Sequence, residues 1–157
     1  SEFFDFIGEL YKIPSKIVTA EKEKSFQLFG LKDYSDTLIR DLSHGYRQRL
    51  IYAATFLHNP EILFIDEPFV GLDPYTIRLI QNLLKEKTKQ GATIFLTSHI
   101  LALVEQLADR IGIIYEGKLV AMGTLAEFRS RIAGAQKLED IFFFLTATPE
   151  EQDTAHL

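Results

Sequence analysis

The chain has no cysteine. That excludes a disulfide framework and a thiolate metal site, and it fits a cytosolic setting. It also has no excess of basic residues: 17 Lys and Arg stand against 22 Asp and Glu, for a formal net charge of −5. A basic stripe of the kind that grips a phosphate backbone is missing, so no nucleic acid is expected as a partner. No apolar run approaches the roughly 20 residues that cross a bilayer. The N-terminus, SEFFDFIGEL, carries acids and lacks the basic start of a secretory leader, so it does not read as a signal peptide. Internal repeats and low-complexity tracts are absent as well.

What is present is an ordinary globular composition. The 157 residues are 46% hydrophobic and 25% charged, enough for one modest domain with a core. The first third reads as helical. In EFFDFIGELY, Phe3, Phe6, Ile7, Leu10 and Tyr11 recur at helical spacing, and Pro14 breaks the run. A second helix follows Ser15 and stops at Gly30; LKDYSDTLIRD reads as a connection. A third helix starts near Ser43 and carries Leu50, Ile51, Ala54 and Leu57 on one side.

From residue 60 the texture changes to alternating strands and helices. The run at 62–65 and ATIFLT at 92–97 read as strands covered on both faces. Asp73 caps the helix between them, with Pro74 in its first position and Gly91 at its end. A further helix is expected over 99–108. RIGIIY and KLVAM follow as strands, with Glu116-Gly117 as a hairpin turn. Thr124 and Glu127 form a capping box, and KLEDIFFFL is a short amphipathic helix. The reading is thus a helical part over 1–59, a β-α-β-α-β-β part with parallel strands over 60–148, and a polar tail over 149–157.

In parallel sheets, ligands gather beyond the carboxyl ends of the strands. Three places stand out. ILFIDEPFVGLDP, at 62–74, runs four apolar residues into Asp66 and Glu67. Adjacent acids there are costly to desolvate, unless one holds a hydrated Mg²⁺ and the other polarises a water. A capped strand end or a surface ion pair is the plainer alternative. LSHGYRQRL places Ser43 and Gly45 at a helix start, where unpaired N–H groups favour an anion by roughly 0.3–2 kcal/mol; a simple N-cap is again the plainer reading. In FLTSHI, His99 follows a strand and could donate to a phosphate oxygen, or be merely solvated.

Taken in order, these motifs make the chain similar to the C-terminal portion of an ABC transporter ATP-binding domain, from the first helices to about residue 146. LSHGY resembles the signature motif Leu-Ser-Gly-Gly-Gln, ILFIDEP the Walker B motif, GLDP the D-loop, and His99 the switch histidine. KLEDIFFFL is similar to the ends of exporter-type subunits. The resemblance implies an α/β, P-loop NTPase-like fold: a parallel sheet fragment flanked by helices, with an α-helical subdomain. It implies ATP and Mg²⁺ as cofactors. Glu67 would be the catalytic base, Asp66 would hold the metal through water, and His99 would contact the γ-phosphate. Ser43, His44 and Gly45 would face the ATP of an opposite subunit, and Asp73 the dimer interface. The implied partners are a second ATP-binding domain and transmembrane permease subunits, at the cytoplasmic face of the cell membrane. A soluble relative acting in translation or DNA maintenance is the alternative, as is a non-catalytic interaction module.

Two departures stand inside the signature, where His44 replaces its second glycine and Tyr46 its glutamine. A third is an absence: no G-x-x-x-x-G-K-[ST] loop occurs in the chain, and the glutamine loop is missing too. The chain therefore reads as a fragment lacking the Walker A loop, with strand edges short of a partner and a risk of self-association. The 157 residues alone are expected to bind Mg-ATP weakly or not at all; titration calorimetry returning micromolar affinity would overturn that.

Overall fold

A computed structural model describes residues 2–132 and 134–147. The tail expected at 149–157 lies outside these residues. The chain divides after Thr97 into two compact units.

The first unit comprises α1 (Glu2–Leu10), α2 (Ser15–Leu28), α3 (His44–Thr55), β1 (Ile62–Asp66), α4 (Pro74–Lys89) and β2 (Thr93–Thr97). Two short 3-10 turns, Lys32–Tyr34 and Ile39–Asp41, occupy the expected connection, and a third, Phe56–His58, leads out of α3. Gly30, at φ +64°, ends α2 as expected. The helical spacing in α1 identifies the helix but not its inner face. Phe4 and Gly8 are the buried residues, while Phe6, Leu10 and Tyr11 are exposed. Phe4 meets Phe26 edge-on, with ring centroids 5.3 Å apart. Gly8 is a close-approach glycine: a Cβ there would lie 2.4 Å from Val18 Cγ2. On α3, Leu50, Ala54 and Leu57 just beyond it are buried, whereas Ile51 is exposed.

β1 and β2 pair in parallel, with Asp66 opposite Thr97 at the end of the ladder. Coverage on both faces, expected from the apolar runs, is not what the structure has. Leu63 is buried, but Ile62, Phe64 and Phe95 are 62%, 75% and 60% exposed. Strand side chains alternate between faces, so one parity packs and the other is left open. α4 packs along β2. Phe64 and Phe95 lie side by side on the open parity, ring centroids 5.8 Å apart.

The second unit comprises α5 (Leu101–Leu107), β3 (Ile111–Tyr115), β4 (Lys118–Gly123), α6 (Leu125–Arg131) and α7 (Leu138–Thr146). The helix expected from residue 99 starts two residues later, because Ser98 Oγ accepts the N–H of Ile100 at 3.1 Å and holds a turn there. β3 was expected among parallel strands; it pairs with β4 alone, antiparallel. Glu116 and Gly117, both at positive φ (48° and 73°), make the tight turn that dictates this pairing. Ile111, Ile113, Phe128, Leu138 and Ile141 form this unit's core. The capping box of Thr124 and Glu127 opens α6. No helix among the described residues is long and apolar enough to cross a membrane.

The Gly8 contact yields a stability test. Gly8→Ala is expected to destabilise the fold by about 1–3 kcal/mol through overpacking, and Val18→Ala in the same chain to recover part of it. Urea denaturation midpoints measure both, and equal midpoints for Gly8→Ala and the parent would contradict the packing described.

Candidate functional site

β1 ends in Asp66, and the chain then bends sharply. Asp66 belongs to the same strand parity as Ile62 and Phe64, so its carboxylate stands on the open face. Thr97, its partner across the ladder, donates its hydroxyl to Asp66 Oδ1. Glu67 makes the bend with a left-handed backbone, φ +47°. A non-glycine residue pays roughly 1–2 kcal/mol for that conformation. Its N–H is held by Thr97, donating to the carbonyl at 3.2 Å and the hydroxyl at 3.4 Å. Glu67 is half-buried, with Oε2 shielded from solvent. Strained backbone of this kind concentrates at functional positions.

The loop beyond is anchored from below. Pro68 and Phe69 are buried, and the Tyr52 hydroxyl donates to the Pro68 carbonyl at 3.3 Å. Burial raises the Tyr52 phenol above its ordinary range. Asp73 then caps α4: Oδ1 accepts the Thr76 N–H at 3.0 Å, and Oδ2 accepts the Thr76 hydroxyl at 2.6 Å. Arg49 Nη2 adds an ion pair to Oδ2 at 3.3 Å. The Thr76 hydrogen bonds, side chain first and backbone second, hold the Asp73 carboxyl down to about 2, with the Arg49 charge assisting.

The start of α3 lies in this same unit. Ser43 caps it, Oγ accepting the Tyr46 N–H at 3.4 Å. No acid occupies the first turn, so the positive end of the helix is not neutralised by its own sequence. A Cβ added at Gly45 would meet no atom within 4 Å. Neither packing nor a left-handed φ therefore requires glycine at that position. His44 is exposed, with Nε2 3.4 Å from the Val70 carbonyl. Tyr46 packs on Tyr34, ring centroids 4.1 Å apart, and the Arg49 guanidinium lies 5.1 Å from the Tyr46 ring centre.

The structure thus gathers Ser43, His44, Gly45, Asp66, Glu67 and Asp73 into the first unit. His99 is an exposed residue of the second, in the turn before α5. Sequence reasoning missed Thr97 and Arg49. Thr97 could have been found as the last residue of one apolar strand, in register with the last of the other. Arg49 carried only the weaker signal of a cation on a helix side that also supplies core residues. Among the described residues no three His, Cys, Asp or Glu side chains cluster as a metal cage. An exposed carboxylate beside a hydroxyl fits Mg²⁺, which takes one or two protein carboxylates and draws its remaining ligands from water and phosphate.

A parallel strand pair set among helices is a mixed α/β arrangement, and its match to a solved structure places it in the P-loop ATPase fold class. A solved structure described as the ATP-binding subunit of an ABC transporter superposes with a TM-score of 0.85 over 92% of this chain and 60% of its own, at 29% identity. Residues 3–105 match the family model described as "AAA domain, putative AbiEii toxin, Type IV TA system". An uncharacterized ABC transporter ATP-binding protein of Synechocystis is 35% identical over 99% of this chain and 46% of its own length. The bacitracin transport ATP-binding protein of Enterococcus faecalis is 38% identical over 78% of this chain and 40% of its own. The linearmycin resistance ATP-binding protein of Bacillus subtilis is 34% identical, over 82% and 42%. The chain belongs to the AAA-type family of that model and is homologous, over nearly its whole length, to ABC transporter ATP-binding proteins. It spans less than half the length of these curated relatives.

The Asp73 cap generates a pH prediction. A carboxyl depressed in the folded state stabilises it above the unfolded value of about 3.9, and that contribution is lost as pH falls towards about 2. Urea midpoints are expected to fall more steeply across this window in the parent than in Asp73→Asn. Identical slopes would contradict the cap.

Proposed function

We propose that this chain carries the signature and hydrolytic residues of an ABC transporter ATP-binding subunit, which hydrolyses ATP to drive transport. The observation that carries the reading is the end of β1: Asp66 on an open face, and Glu67 in a left-handed bend held by Thr97. Such a bend directs two adjacent carboxylates to different tasks. Asp66 serves the Mg²⁺ side through water, and Glu67 orients and deprotonates the attacking water. Mg²⁺ bound there supplies charge neutralisation to the phosphates.

Ser43 and Gly45 present the start of α3 to the γ-phosphate of ATP held by an opposite subunit. The open space at Gly45 and the acid-free first turn support that role. Asp73 borders the dimer interface, and His99 meets the γ-phosphate. The partners are a second ATP-binding domain and transmembrane permease subunits, with the protein at the cytoplasmic face of the cell membrane. The exposed Phe6, Leu10 and Tyr11 of α1 support a docking role for that helix. Export is the proposed direction, since relatives are named for bacitracin transport, linearmycin resistance and fluoroquinolone export.

Glu67→Gln in the full-length subunit tests the reading. A general base contributes about 10²–10⁴ in rate, so steady-state ATPase activity should fall by that order while ATP binding persists. Undiminished turnover would remove Glu67 from the role.

A further inference from the structure

The two departures from the signature pattern share a property: both side chains are engaged within their own subunit. Tyr46 is taken up by Tyr34 and Arg49. His44 reaches the loop that carries Asp73. Three residues of α3 hold that loop along its length. Tyr52 Oη donates to the Pro68 carbonyl at 3.3 Å, His44 Nε2 stands 3.4 Å from the Val70 carbonyl, and Arg49 Nη2 pairs with Asp73 Oδ2 at 3.3 Å. At about 100° per helical residue, positions 44, 49 and 52 fall within an arc of about 140°, one face of α3.

The chemistry of the His44 contact is constrained. A carbonyl oxygen only accepts, so Nε2 must carry the hydrogen. It does so in the imidazolium and in the neutral tautomer protonated at Nε2. Gly71 is its complement. With φ at +71°, it turns the loop under the imidazole, and a Cβ there would lie 3.1 Å from both Cδ2 and Nε2 of His44. The ring packs where a side chain on residue 71 would otherwise approach.

We infer that His44 is a positioning residue: its imidazole ties the loop 68–73, and with it Asp73, to the signature helix of the same subunit, instead of donating to phosphate. The start of α3 and the Asp73 loop then move as one body. The consequence for turnover rests on the ATPase reading above; the tie itself does not.

The test uses the full-length subunit, with His44→Ala and His44→Gln; residue 44 is exposed, so both variants keep the core intact. In the nucleotide-free protein, amides of 69–73 are expected to exchange hydrogen about 2- to 10-fold faster in His44→Ala, as for loss of one neutral hydrogen bond. Amides of 111–123 should be unchanged. His44→Gln, whose amide also donates, should restore protection. For hydrolysis, kcat should fall in His44→Ala with KM for Mg-ATP held within about twofold, and recover in His44→Gln. Unchanged exchange at 69–73 overturns the tie. Faster exchange with unchanged kcat overturns the positioning role. A raised KM without an exchange change assigns His44 to phosphate contact instead. If the parent subunit has no ATPase activity, the hydrolase reading fails, and the exchange data alone then uphold or overturn the tie.

Discussion

The first unit is organised around one buried hydroxyl. Thr76 is fully buried, and burying a hydroxyl without partners costs about 1–3 kcal/mol on the evidence of protein substitutions. It is satisfied by Asp73 from the start of its own helix and by Arg49 from α3, whose Nε donates to it at 2.9 Å. Arg49 also donates to the Phe29 carbonyl at 3.4 Å, at the end of α2. Three helices thereby meet at a single polar knot. Apolar contacts around it tolerate small shifts, but the knot's hydrogen bonds do not, because their angular dependence is steep. The register of α3 against the start of α4 follows from it, and so does the placing of Asp73.

Strand parity is the second constraint. A parallel pair alone buries only one side, and here the other side keeps Phe64 and Phe95 in contact with solvent and places Asp66 and Thr97 among them. Apolar surface flanking a carboxylate lowers the local dielectric once something covers it. The electrostatic value of the acid then rises with that coverage.

Much of this was legible in the chain because it is local. Asp73-Pro74 and Gly91 bound α4, Glu116-Gly117 turn the hairpin, and Thr124 with Glu127 open α6, each through contacts a few residues apart. What escaped sequence reading depends on neighbours distant in the chain. An apolar run identifies a strand without stating how many faces are covered, hence the misjudged Phe64 and Phe95. Helical spacing in α1 locates the helix, but Phe4 and Gly8 are inward only because α2 lies where it does. The candidate site divides the same way: its acids and cap were visible as motifs, whereas Thr97 and Arg49 matter through register and crossing geometry.

Gly45 separates two kinds of selection. No protein atom stands near enough to forbid a methyl group there, and its backbone does not demand glycine. Alanine at this position is also the better helix former, so the folded chain would accumulate at least as well with it. Any pressure to keep glycine must then come from outside the chain's own folding. Cellular abundance and biological activity would part company at this residue, while at Gly8 they would fall together.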